Sequence, residues 1–135
     1  MSEFHIVDCD FKDEECLVGA LRDMDYTVEV HDEQVNLNGY AGSGIAPKAH
    51  IVVRKNQFRG YGDAGFERVD DGFKLHVDDY DYGRNGADKI KMGRVKQLYS
   101  ARVIEKTVRR ASKYTLLNRK EKDGEIKIRV RRMGN

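Results

Sequence analysis

At 135 residues, with 36% charged and 39% hydrophobic side chains, the chain has the size of one domain, with apolar material for a single core that buries roughly two thirds of the surface its unfolded form exposes. No apolar run approaches the roughly 18 residues of a membrane span, and the opening Met1-Ser2-Glu3-Phe4 lacks the basic and apolar regions of a signal peptide, so a cytoplasmic protein with no membrane partner is expected. The formal net charge of +2 conceals a division: residues 1–87 carry 9 Lys/Arg against 18 Asp/Glu (net −9), and residues 88–135 carry 16 against 5 (net +11). Either the two parts neutralise each other on folding, or the basic part presents a surface to an anionic partner.

The segment Phe4-His5-Ile6-Val7-Asp8 reads as a strand, and Asp13-Glu14-Glu15 supplies the acids that suit a helix N-cap and first turn. Cys16, Leu17, Ala20, Leu21 and Met24 then recur at the spacing of one helical face. Cys16 falls on that apolar face; it and Cys9 are expected as free thiols in a reducing compartment. Tyr26-Thr27-Val28-Glu29-Val30 alternates as a second strand, followed by the glycine-rich stretch from Gly39 to Gly44. Ala49 to Arg54 reads as a central strand, with Pro47 placed before it because proline cannot donate to an interior ladder.

Ala64–Val69 and Phe73–Val77 flank the acidic turn Asp70-Asp71-Gly72 as a hairpin. Asp78 to Gly86 lacks a period and reads as an exposed loop. From Asp88 to Tyr114 the positions Val95, Leu98, Ala101, Ile104, Val108 and Ala111 step by three or four as a second, longer helix, with Gly93 marking a late start. Asp123-Gly124 closes a terminal hairpin between Thr115–Lys120 and Glu125–Arg132, in which Ile126, Ile128 and Val130 alternate with Lys127, Arg129 and Arg131. The order β-α-β, three strands, α-β-β describes one α+β domain over residues 1–135: a ferredoxin-like two-layer sandwich, an elaborated split β-α-β with a mainly antiparallel sheet, two helices on one face and a C-terminal β-hairpin.

In this order, Met1-Ser2-x-Phe4, Ala20-Leu21 with Tyr26-Thr27-Val28, Gly39-Tyr40, Ile51-Val52-Val53-Arg54, Tyr61-Gly62-Asp63-Ala64-Gly65-Phe66 and a closing Asp-Gly hairpin ending in Arg131-Arg132 run nearly the whole length. In them the chain resembles the hypothetical chloroplast reading frame 35 family, or domain of unknown function 1257, of cyanobacteria, algal plastids, other bacteria and some tailed phages. The chain departs from the family at Asp79–Gly83, where relatives have a Trp-Trp-Gly-like segment and Tyr80, Tyr82 and Gly83 stand here. The resemblance implies a small single domain and supplies no catalytic residue.

The chemistry-bearing motifs are sparse. The Gly39–Gly44 loop offers Gly39, Tyr40, Gly42, Ser43 and Gly44, whose backbone amides suit a phosphate, but Pro47 and a strand follow it instead of the helix that phosphate-binding glycine motifs require. His5, His31, His50 and His76 are scattered without zinc spacing, His76 reads as half-exposed, and Asp78, Asp79 and Asp81 lack the glycine and distal glutamate of a calcium loop. No nucleophile motif is present. No catalytic residue, metal or cofactor is expected.

Two basic rows stand out: Arg102, Lys106, Arg109 and Lys113 along the second helix, and Lys127, Arg129 and Arg131 on the polar side of the last strand. Because the helix packs on one sheet face while the strand cations point to the other, the two rows are not expected to form one patch. The reading is a non-catalytic binding module for a protein partner, using the helix row and the Tyr80, Tyr82 and Arg84 loop. The alternative is anion binding: nucleic acid on the two rows, or a nucleotide between the glycine loop, Tyr40 and nearby cations.

Overall fold

The computed structural model describes residues 4–39, 46–111 and 113–133. In chain order these form β1 (Phe4–Cys9), α1 (Glu14–Asp23), β2 (Glu29–Asn36), β3 (Lys48–Val53), β4 (Ala64–Val69), β5 (Gly72–Asp78), α2 (Met92–Arg110), β6 (Tyr114–Lys122) and β7 (Glu125–Arg132). The element order is the one the periodicities anticipate. β1 to β5 make one sheet in the order β1-β5-β4-β3-β2, and β6 and β7 make a separate two-stranded sheet.

All neighbours in the larger sheet are antiparallel. It follows that β1 and β2 run in the same direction at opposite edges, so the β1-α1-β2 unit is split by three inserted strands. The result is an α+β two-layer sandwich with an appended hairpin. Local chemistry fixes its corners. Gly72 takes φ +142°, a conformation that L side chains rarely adopt, and a Cβ there would lie 2.9 Å from the carbonyl oxygens of Cys9 and Phe11; only glycine closes the β4–β5 turn against β1. Asp13 caps α1, its Oδ1 accepting from the Cys16 N–H at 3.0 Å, with Glu14 and Glu15 in the positive first turn.

Both helices cover the same sheet face. Leu17, Val18, Ala20 and Leu21 of α1 and Met92, Val95 and Leu98 of α2 share one cluster with Ile51, Val53, Phe66, Leu75 and Val77; each large apolar side chain so buried stabilises the fold by about 1.5–3 kcal/mol. A smaller cluster of Leu37, Ala49 and Val52 gathers separately with Phe4 and Val35. Cys9 and Cys16 are buried free thiols, and burial raises the pKa of both.

Several expectations are adjusted. β2 begins at Glu29 rather than Tyr26, because the Tyr26 hydroxyl donates to the Ile90 carbonyl at 2.9 Å and Thr27 exchanges hydrogen bonds with the Gln57 side chain. α2 begins at Met92: Lys91 is left-handed, and the Asp88 carboxylate accepts the N–H groups of Met92 (2.7 Å) and Gly93 (3.3 Å). The helix ends where Ala111 turns extended, and Ile104, on the predicted apolar face, is exposed. His76 is buried rather than half-exposed, with its Nε2 2.8 Å from Glu67. No helix among the described residues is long and apolar enough to cross a membrane.

Candidate functional site

The connections β3–β4 (residues 54–63) and β5–α2 (residues 79–91) meet over two buried carboxylates. Asp81 is wholly buried; its carboxylate accepts the N–H of Tyr61 (2.9 and 3.0 Å) and of Gly62 (3.2 Å), and Lys89 Nζ stands 3.2 Å away. Asp63, also buried, accepts the N–H of Asn38 (2.7 Å) and Lys55 (2.8 Å) and the Arg54 guanidinium (2.8 Å). Arg54 in turn grips Glu29 at 2.6 and 2.8 Å and holds that carboxyl down to about 2 from an ordinary 4.5. A buried carboxylate is tolerable only when donors replace its water, and here those donors are the backbones of neighbouring loops. The expectation of an exposed loop from Asp78 to Gly86 is therefore corrected at Asp78 and Asp81, both buried.

This frame presents an aromatic and cationic surface. The Tyr61 and Tyr80 rings lie 5.4 Å apart at 45°, Lys89 Nζ sits 4.4 Å from the centre of Tyr61, and the Arg84 guanidinium sits 4.5 Å from that of Tyr80. Arg84 also donates to Asp79 at 2.5 and 3.0 Å. Tyr80 is set by its own N–H, which donates to Asp78 Oδ1 at 2.8 Å, and Tyr61 remains 46% exposed. Rings with cations over their faces are held in place by both attractions.

Of the predicted loop residues, Tyr80 and Arg84 belong to this surface. Tyr82 turns inward, packing against the core with its ring edge-on to His5 at 6.4 Å. Gly39 packs against the Phe4 ring; Tyr40, Gly42, Ser43 and Gly44 lie outside the described residues. Tyr61 and Lys89 complete the surface, with Asp81 buried beneath it; none of the three is among the candidate binding residues read from the sequence. The Tyr-Gly-Asp and Asp-Tyr-Asp-Tyr-Gly segments are visible there, but no spacing rule tells a solvated aspartate from a buried one.

The helix row divides. Arg102 donates to both Asp23 oxygens at 2.7 Å, and Lys106 donates to Asp13 (2.7 Å) and Glu15 (3.4 Å), so these two cations clamp α2 to α1 and hold Asp13 and Asp23 below the usual carboxylate range. Gly19 makes room for this: its missing Cβ would come 2.7 Å from the Arg102 guanidinium, which accounts for a glycine inside a helix at a propensity cost of about 1 kcal/mol. Arg109 and Lys113 are exposed. Lys127, Arg129 and Arg131 occupy the outer face of the hairpin, away from α2.

A family model described as Protein of unknown function (DUF1257) matches residues 20–129. The chain belongs to this family. The match covers the last turn of α1, the whole of α2, the two buried carboxylates and most of the hairpin of this DUF1257 protein. No curated protein and no solved structure matches it. Among the described residues of the DUF1257 chain, no group of three or more His, Cys, Asp or Glu side chains is placed to hold a metal ion.

Proposed function

We propose that the protein is a non-catalytic intracellular binding module that engages a protein partner through the Tyr61–Tyr80 surface. The observation that carries this is the pair of tyrosines held in tilted contact beneath Lys89 and Arg84, on loops pinned from below by Asp81 and Asp78. Tyrosine and arginine dominate the energetics of protein interfaces because they bury large areas at low entropic cost, and loops already locked together forfeit little further freedom on binding. The cations at this end are interleaved with Asp79 and Asp81, which disfavours a polyanion there and favours a mixed protein surface. An accessory role in a bacterial or phage setting, such as counter-defence or host takeover, is the context we propose for it.

The test is quantitative affinity capture from the native host with wild-type bait and Tyr61→Ala/Tyr80→Ala bait in parallel. Proteins retained by the first and lost by the second, with both baits equally folded by circular dichroism, support the reading. Identical captures from the two baits refute it.

A further inference from the structure

The hairpin carries cations of a different standing from those of the helix. In β6 and β7 the register pairs Lys120 with Lys127, Asn118 with Arg129 and Thr115 with Arg131, so Lys120, Lys127, Arg129 and Arg131 project from one face. The opposite face is the one that meets α2: Ile126 packs against the core, Arg119 reaches Glu105 at 3.3 Å, and Glu121 receives Arg94 at 2.6 Å. On the α2 side every one of these charges has its counter-charge.

On the outer face they do not. Among the described residues no carboxylate lies within ion-pair distance of Lys120, Arg129 or Arg131, and Lys127 has only Glu125 at 4.0 Å, with both side chains more than 70% exposed, a contact worth next to nothing in water. Lys120 and Lys127 stand directly opposite one another, and like charges at cross-strand positions destabilise a hairpin. A shallow depression of about 540 Å³ runs across this face between Lys120, Lys122, Lys127 and Arg129, reaching Asp123 and Glu125 only at the turn. Successive cations along β7 are separated by two strand residues, about 6.6–6.8 Å, a spacing comparable to that of neighbouring phosphates along one nucleic-acid strand.

We propose that the outer face of the β6–β7 hairpin docks the phosphate backbone of a nucleic-acid duplex. Four uncompensated cations, three in a row along β7 with Lys120 facing them from β6, are complementary to a surface of regularly repeated negative charge, and the bound phosphates would relieve the Lys120–Lys127 repulsion. The described outer-face side chains include no aromatic ring, so single-stranded bases would find nothing to stack on, and recognition is of the backbone, independent of sequence. This surface is separate from the Tyr61–Tyr80 loops and does not depend on them.

The experiment is fluorescence anisotropy with a labelled 20-base-pair DNA duplex of arbitrary sequence, across a salt series. Four neutralised phosphates predict a loss of about a hundredfold in affinity between 50 and 200 mM salt. The variant Lys120→Gln/Lys127→Gln/Arg129→Gln is expected to lose more than tenfold at 50 mM salt while its thermal midpoint stays level or rises, since a repulsive pair has been removed. Arg109→Gln/Arg110→Gln/Lys113→Gln, which deletes as many cations elsewhere, is expected to lose less than threefold, and Tyr61→Ala/Tyr80→Ala to bind the duplex as wild type does. The proposal is overturned by absence of binding at 50 mM salt, by equal losses in the two triple variants, which would show a net-charge effect only, or by equally tight binding of poly-glutamate, which would make the ligand an acidic protein surface.

Discussion

The Asp81 carboxylate, wholly out of solvent, holds the backbone amide of Tyr61 at 2.9 Å across twenty residues of sequence. The ring contact between Tyr61 and Tyr80 therefore depends on an ion that the surface never shows. Replacing Asp81 with Asn keeps the shape but turns an NH₂ group toward backbone donors and removes the counter-charge of Lys89. A loss of about 2–4 kcal/mol in unfolding free energy is expected. Lys89→Met should also destabilise, and the Asp81→Asn/Lys89→Met protein should lose less than the sum of the singles. Urea denaturation followed by tyrosine emission measures all three, the chain having seven tyrosines and no tryptophan. Additive losses would show that Lys89 is not the counter-ion.

A second dependence ties α2 to the start of α1. The Tyr99 hydroxyl accepts the N–H of both Lys12 (2.9 Å) and Asp13 (3.0 Å), two donors just ahead of the helix that have no partner within it. Tyr99→Phe leaves the ring packed on Phe11, 4.7 Å between centroids, and strips both amides of their acceptor. Because one of these amides is exposed, the expected cost is about 1–2 kcal/mol, with hydrogen exchange at Lys12 and Asp13 accelerated more than in the core strands. Unchanged exchange at those amides would mean that water replaces the hydroxyl at no cost.

These two sites also mark where sequence stops being informative. Strands β4, β5 and β7 and helix α1 are legible because their apolar residues alternate or recur on one face and their turns carry Asp-Gly signals, all of which are local. The late start of α2 is legible through Gly93, but what sets it, Asp88 capping Met92 and Lys91 turning left-handed, is not. Neither is the burial of Asp81, decided by donors on another loop, nor the fate of Lys106, decided by Asp13 at 93 residues' separation. The divided charge was legible as a quantity. Its resolution into a neutralised helix clamp and an uncompensated hairpin face required knowing which elements touch.

The helix clamp should register as an interaction energy. In a double-mutant cycle, Arg102→Ala and Asp23→Ala are expected to couple by about 0.5–1 kcal/mol, since the geometry is bidentate but the pair is partly open to solvent. The coupling should shrink in 1 M salt, where the screening length falls to about 3 Å. Zero coupling at low salt would mean that α1 and α2 are held by their apolar faces alone.

Glu29 offers a test by pH. Its carboxyl is held at about 2 in the folded protein, first by the Arg54 guanidinium, against 4.5 ordinarily. A carboxyl whose folded value is depressed contributes stability that is present above its unfolded value and is lost as pH falls through its folded value. The Glu29→Gln protein lacks that contribution at every pH. At neutral pH it should be less stable than wild type by about 1–2 kcal/mol, the shift being discounted because Glu29 is one-third exposed. Below pH 4.5 the difference should narrow, and it should close as pH approaches 2. The depressed carboxyls of Asp13, Asp23, Glu67 and Glu121 titrate in both proteins and cancel from the difference, so the convergence reports Glu29 itself. Chemical denaturation of the two proteins at pH 7, 4 and 2.5 measures it, and a stability gap as wide at pH 2.5 as at pH 7 would show that the Arg54 contact does not hold the Glu29 proton off.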